Sequence, residues 1–157
     1  MKKKNLIILL RKQMKANGII LKAGVKTLNG RLYPLEVLKK AVEDFNASML
    51  MDLKVGMIGP NNLPHVMLQQ VSHKIDSLYM DGDLLKVDID IYDTEQGKTL
   101  ISFMKDGHEF VPILVGNSLA GDGDDGTQII TDLVIDRIDV CPYENRSYED
   151  AILNITE

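Results

Sequence analysis

A tight turn that leads into an amphipathic helix, at residues 29–46, is the segment that most restricts what this chain can fold into. Asn29-Gly30 is a turn dipeptide, because both residues tolerate positive φ angles. Pro34 has no N–H to satisfy, so it suits the first turn of a helix. The residues after it are apolar at helical spacing on one face and charged on the other. The apolar set is Leu35, Leu38, Ala41, Val42 and Phe45. The pattern predicts a helix packed on a sheet.

Strand patterns surround this helix. Residues 85–92 alternate strictly between apolar and polar side chains, which is typical of a half-buried strand. Thr94 is a suitable N-cap for a second helix that runs to about Lys105. Pro112 places its own strand at a sheet edge or a bulge. Other strands are predicted at 18–25, 51–59, 66–80, 110–119 and 127–140. Together these elements predict an α+β fold, either a small antiparallel β-barrel or a strongly curved sheet with flanking helices.

The two ends of the chain differ from its centre. Residues 1–17 combine a basic start with an apolar run, Leu6 to Leu10, that is shorter than the roughly 7–15 residues of a secretory signal. We expect a short basic amphipathic helix there, either exposed as a partner-binding arm or docked on its own domain. Residues 18–143 would form the domain, and the polar residues 144–157 a C-terminal tail.

Composition excludes several classes of function. The chain has 157 residues, 45% hydrophobic and 26% charged, which is typical of one globular domain. A net charge of −5 argues against direct nucleic-acid binding, since that affinity depends on neutralising phosphates. No segment is long enough to span a membrane. The single cysteine, Cys141, excludes an internal disulfide and any multi-thiolate metal site, and no cofactor site is indicated.

Several segments, in the same order along the chain, resemble the prohead proteases of tailed phages, the serine proteases that mature the capsid. The resemblance covers about residues 18–143. It implies the prohead-protease fold, which is related to that of the herpesvirus assembly proteases. The segments are Asn29 to Pro34, Val71 to Ile75, Met80 to Leu84, Asp93 to Lys98, Asp132 to Val134 and Asp139 to Pro142.

The catalytic motifs of that family are not retained. Pro60 stands where the family's "G-E-L-x-H-P" stretch has its histidine. Ile113 and Leu114 stand where the "G-V-S-S-R-G" stretch has its two serines. Acyl transfer needs a hydroxyl or thiol nucleophile and a base, and none of these three residues supplies either. The resemblance therefore implies a pseudoenzyme, a protease-like virion protein with a structural role in the phage head.

Two alternatives remain open. In the first, the chain is an active serine endopeptidase that uses Ser118, with His65 or His73 as base and Asp122 to orient it. Ser118 is nevertheless typical of a strand end, His65 of a loop, and His73 of a solvated or core-edge position. In the second, the chain inhibits or regulates the active prohead protease.

The resemblance also implies a location and partners. The protein would belong to the virion, in the phage head, assembled in the host cytoplasm. It would be oligomeric and would contact major capsid, scaffold, core or vertex proteins through its sheet edges or its basic N-terminal segment. Ile155-Thr156-Glu157 resembles the family's cleavage consensus, so Glu157 is either a processed or an encoded end.

Overall fold

The computed structural model describes residues 14–49, 51–61 and 63–156, which form two α-helices and eight β-strands. The helices are α1 (Leu35–Met49) and α2 (Glu95–Lys105). The strands are β1 (Met14–Lys22), β2 (Arg31–Leu32), β3 (Val55–Met57), β4 (Val71–Asp81), β5 (Leu84–Ile91), β6 (Phe110–Asp122), β7 (Gln128–Pro142) and β8 (Ile152–Thr156).

The strands form two open sheets. The larger has the order β3-β4-β5-β1-β8 and is antiparallel throughout. The smaller has the order β2-β7-β6, in which β6 and β7 form a long antiparallel hairpin. A bridge between Ile58 and Val140 links the chain after β3 to the smaller sheet. The predicted α+β class with antiparallel sheets and flanking helices is confirmed, whereas the described strands do not close into a barrel.

One hydrophobic core lies between the sheets and the helices. It combines residues of β1, β4, β5, β7 and α1, including Ile20, Ile75, Ile89 and Ile138. The helix predicted after Pro34 supplies the buried side chains of Leu38, Ala41, Val42 and Phe45. Burial of this apolar surface is the main stabilising contribution to the fold.

The predicted local signals appear where the sequence placed them. Gly30 has a φ of 87°, which confirms the turn, and α1 begins at Leu35. The Thr94 hydroxyl accepts a hydrogen bond from the Gly97 amide and caps α2. Pro112 lies in β6, an edge strand of the smaller sheet.

The prediction for the N-terminal segment is wrong where the structure tests it. Residues 14–17 belong to β1, although the sequence predicts a helix through residue 17; residues 1–13 lie outside the described part. β1 pairs with β5 on one side and β8 on the other. Lys15 forms a 2.7 Å ion pair with Asp90, its register partner on β5, so cross-strand pairing overrides the local helical pattern.

The prediction of a tail at residues 144–157 is also wrong. After a short 3-10 turn at Tyr143–Asn145, the chain returns as β8 and pairs with β1 along the larger sheet. Ala151 and Leu153 are buried there. The segment looks polar because β8 is an edge strand that buries only one of its faces.

Candidate functional site

The central part of β7 brings together the positions where the resemblance places the catalytic residues. Before Pro60, the Gly59 amide donates a hydrogen bond to the Val140 carbonyl at 2.8 Å. On the other side of β7, Ile113 of β6 is the register partner of Asp139. These positions are distant in the sequence, yet the fold places them on either side of one short segment of β7.

The side chains at these positions carry no catalytic chemistry. Pro60 is exposed, and Ile113 and Leu114 are partly buried. None of the three has a titratable or nucleophilic atom. Catalysis by a serine protease requires a nucleophile and a base within hydrogen-bond reach of each other.

A buried ion pair lies beneath this part of the fold. Arg137 Nε donates to Asp139 Oδ1 at 3.0 Å and Oδ2 at 3.2 Å, and both side chains are nearly inaccessible to solvent. Asp139 Oδ1 also accepts a hydrogen bond from the Met57 amide. Arg137 Nη2 donates to the Leu63 carbonyl and to Asn61 Oδ1. The pair thus fixes the segment that carries Pro60 onto β7, which is a structural use of both charges.

His73 is fully buried, whereas a solvated or core-edge position was expected for it. Its Nε2 donates to the Ile138 carbonyl at 2.7 Å, which leaves Nδ1 to accept from the Ser72 hydroxyl at 2.7 Å. Burial lowers the pKa of His73 below its ordinary value. A serine hydroxyl donating to a neutral imidazole is the arrangement of an activated nucleophile, but both residues have no exposed surface. No substrate can reach this pair in the folded state.

The structure keeps Ser118 apart from His73. Ser118 is exposed on β6 and pairs with Leu133. His73 contacts Ile138, whose register partner on β6 is Leu114. Ser118 lies four residues beyond Leu114 along β6, so their Cα atoms are about 13 Å apart.

The other residues of the alternative site lie on the surface. His65 is exposed in the loop before β4, and Asp122 is exposed at the end of β6. Ile155 and Thr156, from the possible processing site, are paired with Ala16 and Lys15 in the larger sheet. Glu157 lies outside the described residues.

Cys141 is the remaining potential nucleophile near the site. Its side chain is buried beside Gly59. Burial, with the nearby Asp139 carboxylate as a smaller cause, raises the pKa of the thiol to about 12. The reactive form of cysteine is the thiolate, so Cys141 is inert at neutral pH.

Sequence reasoning missed both buried polar pairs. A signal for the first is present: Arg137 and Asp139 have opposite charges, lie two residues apart and therefore share one face of a strand with apolar neighbours. For Ser72 and His73, the sequence gives no comparable signal, because their burial depends on how β4 packs against β7.

No protein-family model matches the chain, and no curated protein does. A solved structure, that of the bacteriophage T4 capsid assembly protease gp21, is similar, with a TM-score of 0.74. It shares 22% sequence identity, and the match covers 83% of this chain and 82% of that one. This likeness confirms the fold that the sequence resemblance implies. Among the described residues, no helix has both the length and the apolar character to cross a membrane.

Proposed function

We propose that this chain, which has the fold of a phage capsid assembly protease, takes part in building a phage head without cleaving peptides. The fold match supports a role in head assembly, because the matched structure is that of a capsid assembly protease. Fold alone does not define an activity, so the second half of the proposal depends on the site.

The proposal that the chain does not cleave peptides depends on which residues lie beside β7. The backbone geometry places Pro60 and Ile113 on either side of β7, and neither can act as base or nucleophile. The nearby groups do not replace them. Cys141 is held as a thiol, and the Ser72–His73 pair is enclosed in protein. Peptide hydrolysis would need an accessible nucleophile with a base beside it.

A protease-like protein without catalysis would act by binding. The longer edge strands offer backbone groups for it: β6 at one edge of the smaller sheet and β8 at one edge of the larger one. A strand edge can pair with an extended segment of a partner. Capsid, scaffold, core or vertex proteins of the head are the partners that this role requires.

The absence of catalysis is tested with a covalent probe and a substrate. The full chain is incubated with a fluorophosphonate, which labels activated serines, and with a capsid-protein fragment containing an Ile-x-Glu sequence. We expect no label and no cleavage, measured by mass spectrometry. Ser118→Ala and Ser72→Ala are the matched variants. Labelling or cleavage that disappears in either variant would establish an active serine and overturn the proposal.

The role in assembly is tested by binding. The purified chain is sedimented with proheads, and separately mixed with the active prohead protease from the same phage. We expect co-sedimentation with proheads and unchanged turnover by the protease. Suppressed turnover would instead identify the chain as a regulator of that enzyme, and loss of co-sedimentation would contradict a structural role.

A further inference from the structure

The outer half of β6, residues 116–122, is an exposed strand edge that lacks the usual protection. Among the described strands β6 pairs only with β7, and all seven of these residues are exposed. Edge strands commonly carry charged side chains or proline, which prevent pairing with another chain. Residues 115–121, Val-Gly-Asn-Ser-Leu-Ala-Gly, contain neither. The backbone N–H and C=O groups along this edge are therefore open to pairing.

The backbone of β6 is regular along this edge. The pairing of β6 with β7 shifts register twice, and in both places the additional residue belongs to β7. These additional residues are Asp136 and Thr131. A bulge bends mainly the strand that contains the extra residue. The free edge of β6 thus keeps the spacing that an incoming strand needs.

An exposed apolar cluster lies beside the same edge. Leu119 is 66% exposed, Val134 59% and Ile129 37%. Asn117 pairs with Val134 and Gly121 pairs with Ile129, while residues 117, 119 and 121 share one face of β6. Because directly paired residues point to the same face of a sheet, the three apolar side chains lie on one side of the hairpin. A chain that pairs with β6 would also cover part of this cluster.

The edge is complementary to a second copy of itself. In antiparallel pairing about a two-fold axis at Leu119, this residue faces Leu119 of the other copy, and Gly116 faces Asp122. Leu119 is the midpoint of residues 116–122, so the whole exposed half of the strand is paired in this register. No carboxylate of one strand lies directly opposite a carboxylate of the other. The apolar pair at the axis stabilises the contact, as cross-strand apolar pairs do within a sheet.

We propose that this chain forms a symmetric dimer in which β6 pairs antiparallel with β6 of a second copy, so that the two smaller sheets become one sheet of six strands. A second copy fits this edge better than a charged partner, because residues 115–121 carry no charge that would attract one. The inference is independent of the proposed role in head assembly, and it leaves β8 available to a head protein. Seven paired residues make a small interface, so the dissociation constant should lie between about 1 µM and 1 mM.

Sedimentation equilibrium of the full chain across that concentration range tests the dimer. The average mass should rise from that of one chain toward that of two. Leu119→Lys places two like charges opposite each other and should weaken dimerisation about fivefold or more. Ile152→Lys makes the same change at an exposed residue of the other edge strand, β8, and should leave dimerisation unchanged. A mass independent of concentration, or a dimer that only Ile152→Lys weakens, would overturn the proposal.

A mixture of two variants tests the position of the axis. Leu119→Lys and Leu119→Glu each put like charges opposite each other, whereas the mixed dimer puts a lysine opposite a glutamate. The mixture should therefore associate more strongly than either variant alone. Circular dichroism checks that both variants are folded, as expected for a substitution at an exposed residue. If the mixture associates no better than the separate variants, Leu119 does not lie at the axis and the proposal is wrong.

Cross-linking provides a second measure of the register. In Leu119→Cys, the two new cysteines would have Cα atoms about 5 Å apart, within the range of a disulfide. Oxidation by diamide should therefore give a covalent dimer, and the buried Cys141, with its pKa of about 12, does not compete. In the matched variant Asp122→Cys, the new cysteines would lie about 20 Å apart and should not cross-link. Equal cross-linking in both variants, or none in Leu119→Cys, would contradict this pairing.

Discussion

At the scale of single residues, Gly56 shows how tightly β3 approaches β7. A Cβ atom at this position would collide with the Ile138 carbonyl oxygen and with the His73 ring. The first obstacle is backbone, so it cannot move aside without disturbing β7. Glycine is required here for close approach, and its backbone φ is not in the left-handed region.

We therefore predict that Gly56→Ala destabilises the protein by about 1–3 kcal/mol or more, the usual cost of overpacking a dense interior. Gly121→Ala is the matched control, because Gly121 also lies in a strand and has open space around its would-be Cβ. Urea unfolding followed by circular dichroism measures both. Equal unfolding free energies for the two variants would refute the close approach of β3 and β7.

His73 makes stability depend on pH. Because burial lowers its pKa in the folded state, the unfolded chain binds the proton first as the pH falls below the ordinary value of 6.5. This contribution to stability is complete above that pH and is lost as the pH falls toward the lowered folded-state pKa. The loss is at most about 1.4 kcal/mol per pH unit for one proton.

We predict that the free energy of unfolding falls more steeply between pH 7 and pH 5 in the wild type than in His73→Gln, measured by urea titration. Removing the imidazole removes its proton uptake from the unfolded state. A slope that His73→Gln leaves unchanged would show that other groups account for the acid sensitivity.

At the scale of elements, β8 is where local sequence and structure disagree most. Ile152 and Leu153 are adjacent apolar residues in it, but Ile152 is 43% exposed and Leu153 only 5%. We predict that Leu153→Ala costs about 2–5 kcal/mol of unfolding free energy, as expected for a buried leucine, and that Ile152→Ala costs much less. Thermal and urea unfolding compare them. Similar small losses for both would mean that this segment behaves as a tail in solution.

Elements whose signals are local could be predicted, and those that depend on distant pairing could not. The Asn29-Gly30 turn and the Thr94 cap each involve neighbours in sequence, so residue types alone define them. β1 and β8 pair with each other from opposite ends of the chain. No local pattern encodes that partner, so residues 14–17 resemble a helix and residues 152–156 a tail.

In the candidate site too, residue identities could be predicted from the sequence, and the spatial arrangement could not. The sequence resemblance implies that Pro60 and Ile113 stand at the family's catalytic positions, an expectation that comes from aligned motifs and needs no structure. Their common location beside β7 depends on the β6–β7 register and on the bridge from Ile58 to Val140. The burial of Ser72 and His73 likewise results from packing between the sheets, which a strand pattern does not specify.

At the scale of the whole molecule, the two sheets share one hydrophobic core. We predict that they unfold together in a single two-state transition, because separating them would expose apolar residues of both sheets to water. Far-UV circular dichroism and tyrosine fluorescence should give coincident urea curves; the chain has five tyrosines and no tryptophan. Curves with different midpoints would show that one sheet can unfold before the other.

The pairing of β1 with β8 brings the start of the first strand close to the end of the last one. Lys15 and Thr156 are register partners, so their Cα atoms lie about 5 Å apart. A linker of a few residues could therefore join the start of β1 to the end of β8, and the chain could be reopened at the tip of the β6–β7 hairpin near Gly123. Circular permutation would preserve both sheets, and cargo proteins fused before residue 14 or after residue 156 would emerge side by side.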